Sequence, residues 1–323
     1  MDKRKLGRSG LDISALGVGC WTIGGLSNVG SGQHGWVGTD DAESIRAVQR
    51  ALDLGITYFD TADVYGAGHS ERLLGEALAG RDVVISTKFS KIYDEATRSR
   101  FDGTNVDAEY IRTACEASLR RLRIEAIDLY FLHEGMVGLD KIDDIVAALE
   151  QLVEAGKVKW YGWSTDDHAR ALAFSRAPHC AAIQQRLNLL EGSRAILSLC
   201  EEAGMASVNR SPLAQGLLTG KFSAATRFDG YDVRARWNMK EGQRAEQLEA
   251  LERVRALLTA DGRSLVQGAL GWLLATSPAT VPIPGFKTAA QVEDNVGTLA
   301  CGPLSSETMR GINDTLAAVV PGH

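Results

Sequence analysis

TYFDTADVYGAG, residues 57–68, opens as a buried strand and breaks on a carboxylate. Ile56 and Thr57-Tyr58-Phe59 favour strand, and Asp60 ends the run. Five residues later comes Tyr65, in a loop bounded by Gly66 and Gly68. A hydrophobic strand ending on an acid, with a tyrosine just beyond it, is how a parallel sheet presents a site at its strand ends.

Outward from this stretch, strands and helices alternate. Before it, TDDAESIRAVQRALDLG (39–55) has an Asp/Thr start, Ile45, Val48 and Leu52 on one face, and Gly55 at the position of a helix-ending glycine. After it, SERLLGEALAG (70–80) reads as helix and DVVISTK (82–88) as strand. DAEYIRTACEASLRRL (107–122) is a helix with Ile111, Cys115, Leu119 and Leu122 on one stripe. AIDLYFLH (126–133) is a strand, IDDIVAALEQLVEAGK (142–157) a helix, and VKWYGWS (158–164) a strand.

The second half keeps the rhythm. AAIQQRLN (181–188) and MASVNRSP (205–212) are strands flanking the helix SRAILSLCEEAG (193–204). SLVQGALGWLLATS (264–277) is a long helix, TVPIPG (280–285) a short last strand, and TAAQVEDNVGTL (288–299) begins a closing helix. At the other end, RKLGRSGLDISALGVGC (4–20) reads as two short strands around a Gly-Arg-Ser-Gly turn, then a third strand.

Near-continuous apolar strands alternating with amphipathic helices predict an α/β fold with a parallel sheet covered by helices. Eight such strands fit a (β/α)8 TIM barrel with an N-terminal β-hairpin. No linker interrupts the units, so residues 1–323 are expected to form a single barrel domain. An open doubly wound sheet would need a G-x-G-x-x-G turn after the first strand. GVGCWT (17–22) has Thr22 in place of the third glycine.

Composition narrows the function. At 45% hydrophobic and 24% charged the chain is ordinary for a soluble globule, and its net charge of −6 argues against a nucleic-acid partner. No apolar run is long enough to span a membrane. MDKRKLGRSG at the start lacks the apolar stretch of a signal peptide. The five cysteines, at 20, 115, 180, 200 and 301, form no C-x-x-C, which points to a reducing cytoplasm. The clusters Arg120-Arg121 and Lys3-Arg4-Lys5 read as solvated faces or termini.

In a barrel the strand C-termini share one face. Asp60 ends the second strand, Lys88 the third and His133 the fourth, with Tyr65 just past Asp60. A tyrosine with a free pKa of about 10 is a poor acid–base catalyst near neutrality. A nearby ammonium stabilises tyrosinate, a carboxylate keeps that lysine charged, and a histidine can donate to a carbonyl oxygen. The set suits proton transfer to a carbonyl that gains a hydride. Any one of these residues alone reads as a cap, a surface charge or a satisfied interior group.

At these residues the sequence resembles the aldo-keto reductase superfamily, over nearly the whole chain. FDTADVYG (59–66), STKF (86–89) and IDLYFLH (127–133) are similar to its tyrosine, lysine and histidine segments. YGWST (161–165), QQRLNLL (184–190), SPLAQGLLTGK (211–221) and IPGFKTAAQVEDN (283–295) resemble its cofactor segments, in the same order. The resemblance implies an enzyme that reduces a small carbonyl substrate with NADPH, releasing NADP+. It makes Tyr65 the proton donor, Lys88 the group that lowers its pKa, Asp60 the partner of Lys88, and His133 the residue that orients the carbonyl. Ser164 and Gln184 would hold the nicotinamide carboxamide, with Trp21 and Arg210 beside the cofactor. Ser211, Leu213 and Gly216 would lie along the pyrophosphate, with Lys221 a further cofactor-binding residue. Lys287 and Thr288, preceded by the cofactor-binding Gly285, would meet the ribose 2′-phosphate, and Gln291, Asp294 and Asn295 would sit by the adenosine. Phosphate binding is also expected after strands seven and eight of any barrel, near a helix N-terminus.

Two positions depart from the family pattern. Thr165 stands where the family has a carboxamide-binding Asn, and a hydroxyl cannot match the paired pattern of an amide. Arg210 stands where an aromatic residue stacks on the nicotinamide. A guanidinium can stack, being planar, or it can pair with a nearby carboxylate.

Trp21, Trp36, Phe89 and Trp163 fall near the expected site mouth, as pocket walls or as core. SNVGSGQHG (27–35) reads as a mobile, lid-like loop. AATRFDGYDVRARWNMKEG (224–242) is an insertion that could close over cofactor or substrate, or meet another subunit. A metal-dependent barrel hydrolase is disfavoured: the six histidines form no H-x-H or H-E-x-x-H, so no metal site is expected. The other rival is a non-catalytic NADP(H)-binding regulatory protein of the same fold, against which the intact tetrad weighs.

Overall fold

The computed structural model describes residues 3–317. Eight parallel strands run Val18–Gly19, Tyr58–Asp60, Val84–Phe89, Ile127–Leu132, Val158–Ser164, Cys180–Asn188, Ala206–Arg210 and Thr280–Pro282, each beside the next. The ring closes where Gly17 N donates to Pro282 O at 3.0 Å and Gly19 N to Pro284 O at 2.9 Å. Gly19 is required at the seam: a Cβ there would lie 2.7 Å from the Ile283 carbonyl oxygen. The predicted (β/α)8 barrel and its hairpin, Lys3–Lys5 with Asp12–Ser14, are both present.

The hairpin covers the barrel's N-terminal end. Its Leu6 and Ile13 are fully buried with Leu129, Phe131, Val208 and Val281 in the barrel interior. Fully burying side chains of this size contributes roughly 1.5–3 kcal/mol each. With that end plugged, the C-terminal ends of the strands remain the open face. Around the outside, helices pack their apolar stripes on the strands, as Ile111, Cys115, Leu119 and Leu122 of Ala108–Leu122 do. Caps fix where helices start. Asp40 accepts from Glu43 N at 2.8 Å, and Ser264 and Gln267 form a reciprocal capping box.

Several segments differ from expectation. Residues 27–35 are not a loop. Leu26–Val29 and Gly32–Gly35 form a hairpin, joined through Ser99–Thr104 to Lys91–Asp94 in a four-stranded accessory sheet. Three helices were not anticipated: His168–Phe174, Gln243–Leu258 and, after the expected closing helix Ala289–Cys301, Ser306–Ala317. Arg121 is not a solvated cation. It is 9% exposed, and its Nε donates to buried Glu71 at 2.6 Å. Among the described residues no helix is long and apolar enough to cross a membrane.

Candidate active site

The strand ends converge as their sequence positions imply. Lys88 is fully buried at the end of its strand, and its Nζ donates to Asp60 Oδ2 at 2.6 Å and to the Thr61 carbonyl at 2.5 Å. Asp60 Oδ1 accepts from Ser86 Oγ at 2.7 Å and from Gln184 Nε2 at 2.8 Å, so three strands are pinned to one carboxylate. Burial opposes the charge on Lys88, but the Asp60 carboxylate and Tyr65 outweigh it and hold the lysine above its usual range.

Tyr65 is set by its loop. Gly66, at φ 62°, lies against Gly24, where a Cβ would meet the Gly24 carbonyl oxygen at 2.2 Å. The Tyr65 ring stacks on Trp21 at 6.0 Å and meets His133 edge-on at 5.7 Å, with Lys88 Nζ 4.9 Å from its centroid. Burial pushes the Tyr65 phenol up, and Asp60 adds to that, while Lys88 and Arg210 pull it down. The net direction is upward, so the lowering expected from Lys88 is present but outweighed, and the phenol holds its proton at neutral pH. His133 is held well below the usual imidazole range by burial first, then by Lys88, Lys91, Arg210 and Arg100. It is therefore neutral near pH 7, and its Nδ1 is buried without a hydrogen-bond partner.

A cleft of about 910 Å³ opens over these groups and runs toward the ends of strands seven and eight. Asp60, Tyr65 and His133 line it, with Lys88 just behind them. Trp21, Ser164, Gln184, Arg210, Ser211, Leu213 and Gly216 also line it, as do Lys221, Gly285, Lys287, Gln291, Asp294 and Asn295. Thr288 does not: its hydroxyl caps the helix Ala289–Cys301 by accepting from Gln291 N at 3.3 Å.

Within the cleft, Ser164 Oγ donates to Gln184 Oε1 at 3.2 Å. Thr165 turns its hydroxyl to the Gly135 carbonyl at 3.0 Å. Arg210 donates to the Asp166 carboxylate, the second of the two arrangements open to it. Ser211, Ala214 and Gln215 hold left-handed backbone at φ 53°, 48° and 54°, a strained run of the kind found at ligand clamps. Asp294 accepts from Ser264 Oγ at 2.6 Å, and Asn295 Nδ2 donates to the Gly285 carbonyl at 3.4 Å.

The aromatic residues divide. Trp21 and Trp36 line the cleft and meet edge-on at 5.3 Å. Phe89 and Trp163 are fully buried core: Phe89 packs on Tyr130 and Trp163 on Phe174. The insertion 224–242 reaches back over the cleft. Gly35 N donates to Tyr231 O at 3.1 Å and Val233 N to Gly35 O at 2.9 Å, and Arg234 enters the cleft between Trp36 and Phe228.

Lys91, Arg100 and Arg186 line the same cleft and were not singled out from the sequence. Two of them lie on or beside the accessory sheet, whose short polar strands gave no periodic signal; Arg186 sits inside a motif otherwise read for its glutamine.

The family model described as "Aldo/keto reductase family" matches residues 15–317. The chain is 32% identical to a probable aldo-keto reductase 1 of Glycine max, over 95% of this chain and 87% of that protein. It is 30% identical to the aldo-keto reductase yakc [NADP(+)] of Schizosaccharomyces pombe, over 96% and 90%. The solved glycerol dehydrogenase AKR11B4 of Gluconobacter oxydans superposes with a TM-score of 0.85 at 29% identity, covering 100% of this chain and 97% of that one.

Proposed function

The chain belongs to the aldo/keto reductase family, whose members are oxidoreductases, and we propose that it is an NADPH-dependent reductase of aldehydes or ketones. The observation that carries this reading is the buried cluster of Asp60, Lys88, Tyr65 and His133 at the cleft floor.

The residues present fit a phosphorylated dinucleotide. Lys221 and Lys287 line the cleft with no ion-pair partner among the described residues. Burial, and then the charge of Arg234, holds both below the usual lysine range. Such crowded cations are relieved by a polyanion. Lys287 and Lys221 would hold the phosphates, the turn from Ser211 to Gly216 the pyrophosphate, and Ser164 with Gln184 the carboxamide. The NADP(+) in the name of the Schizosaccharomyces pombe relative is in keeping with that choice.

When bound, the reduced dinucleotide supplies a hydride to the carbonyl carbon. Tyr65 gives its phenolic proton to the carbonyl oxygen. Lys88 stabilises the phenolate that remains, and Asp60 keeps Lys88 charged. His133, neutral, donates an N–H to the same oxygen and orients it. Trp21, stacked on Tyr65, walls the reacting end of the cleft.

The test is a broad panel of aldehydes and ketones, run with NADPH and NADH side by side. NADPH oxidation that depends on the carbonyl is expected. Absence of turnover with every carbonyl and both cofactors would overturn the reading.

A further inference from the structure

The cations of the cleft sort by partner. Lys91 pairs with Glu134 at 2.5 Å, Arg186 with Glu191 at 3.5 Å, and Arg234 with Asp232 at 2.7 Å; Arg210 pairs with Asp166. Lys221 and Lys287 lack a carboxylate but lie at the end where the cofactor's phosphates are proposed to sit. Arg100 remains. Among the described residues it has neither an ion pair nor a side-chain hydrogen bond, and its Nε is buried with no partner.

Arg100 comes from the accessory strand Ser99–Thr104, where its register neighbours are Val29 and Tyr93. It is half-buried. Burial holds its guanidinium below the usual range. The strand it pairs with, Lys91–Asp94, follows directly on the Lys88 strand, and Lys91 ties that strand to Glu134 beside His133, so Arg100 lines the substrate end of the cleft. A guanidinium withdrawn from water without a counter-charge costs free energy that an oxyanion would recover, and its planar fork matches a carboxylate.

We propose that Arg100 selects carbonyl substrates that carry a carboxylate, binding that group while the carbonyl lies at Tyr65. This rests on the reductase reading of the site. A carboxylate rather than a phosphate is inferred because one unpaired cation, not several, faces that end of the cleft.

The test compares matched pairs: 4-formylbenzoate and short ω-oxo carboxylates of increasing length, each against its methyl ester. A sugar aldehyde phosphate against its unphosphorylated parent is the phosphate arm. The native protein is expected to favour at least one acid over its ester by roughly ten- to a hundredfold in kcat/KM, the scale of a charge-assisted hydrogen bond. Arg100→Met should bring that ratio near one, and Arg100→Lys should restore part of it. Equal use of acids and esters, a ratio unchanged in Arg100→Met, or a preference confined to the phosphate would each overturn the proposal. If no aldehyde is reduced at all, the reductase reading fails, and Arg100 is judged by titration calorimetry with benzoate. Weaker binding to Arg100→Met than to native protein then upholds the anion site, and equal binding overturns it.

Discussion

Arg210 donates through Nη2 to Asp166 Oδ2, so the cation proposed to lie beside the nicotinamide is paired with a carboxylate at the cleft. Both partners are partly exposed, and such a pair is worth only about 0.2–1 kcal/mol. That is enough to bias orientation without isolating either charge. The oxidised nicotinamide ring is cationic and the reduced ring neutral, so an unpaired Arg210 would disfavour NADP+. With Asp166 in place, that bias is expected to be absent. Arg210→Tyr should leave the NADPH to NADP+ affinity ratio unchanged within about twofold. Asp166→Asn should shift it several-fold toward NADPH, because it uncovers the charge. Fluorescence titration of both cofactors against the three proteins measures this. A ratio that narrows in Arg210→Tyr would show the guanidinium reading the ring despite its partner.

Lys287 has no carboxylate among the described residues. Its Nζ donates to the Val37 carbonyl, and it lies 5.6 Å from the Trp36 ring centroid. A charge-assisted hydrogen bond to a 2′-phosphate contributes roughly 1.5–3 kcal/mol. Lys287→Ala should therefore cut the preference for NADPH over NADH by about one to two decades. Binding constants for both cofactors check it, and equal affinity for the two in the native protein removes the premise.

His133 gives a pH dependence with a fixed sign. Its folded-state pKa lies well below the ordinary value of about 6.5, because burial, then Lys88, Lys91, Arg210 and Arg100, disfavour the cation. Between the folded and unfolded values the unfolded chain binds more protons, so stability rises with pH. The contribution is complete above about 6.5 and is lost as the pH falls toward the folded value. Thermal unfolding midpoints should fall from pH 7 to pH 5, and His133→Gln should show a shallower fall over that range. Parallel curves for the two proteins would mean that His133 is not held neutral by the fold.

The barrel was legible because its strands are short apolar runs ending on charged residues. Asp60, Lys88 and His133 could be placed on one face from that pattern alone. The helix Gln243–Leu258 was harder. Its buried face includes Gln247 and Ala250 beside Leu251, Val254 and Leu258, and charged residues crowd the rest. The accessory sheet is held by backbone pairing between polar stretches such as Ser27-Asn28 and Gln33-His34, which carry no alternation to read. Arg100 and Arg234 reach the cleft only because that sheet and the 224–242 segment fold back over it. Arg121 looked solvated because its partner, Glu71, lies fifty residues away on another helix.

Proton donation by Tyr65 is tested most directly by replacing the phenol oxygen alone. Carbonyl reduction by Tyr65→Phe, measured on the best substrate of the panel, is expected to fall by roughly 10² to 10⁴, the usual contribution of a positioned acid. NADPH affinity, measured by fluorescence on the same preparation, should be retained. Turnover close to native in a variant that binds NADPH normally would contradict the assignment and place the proton source elsewhere in the cleft.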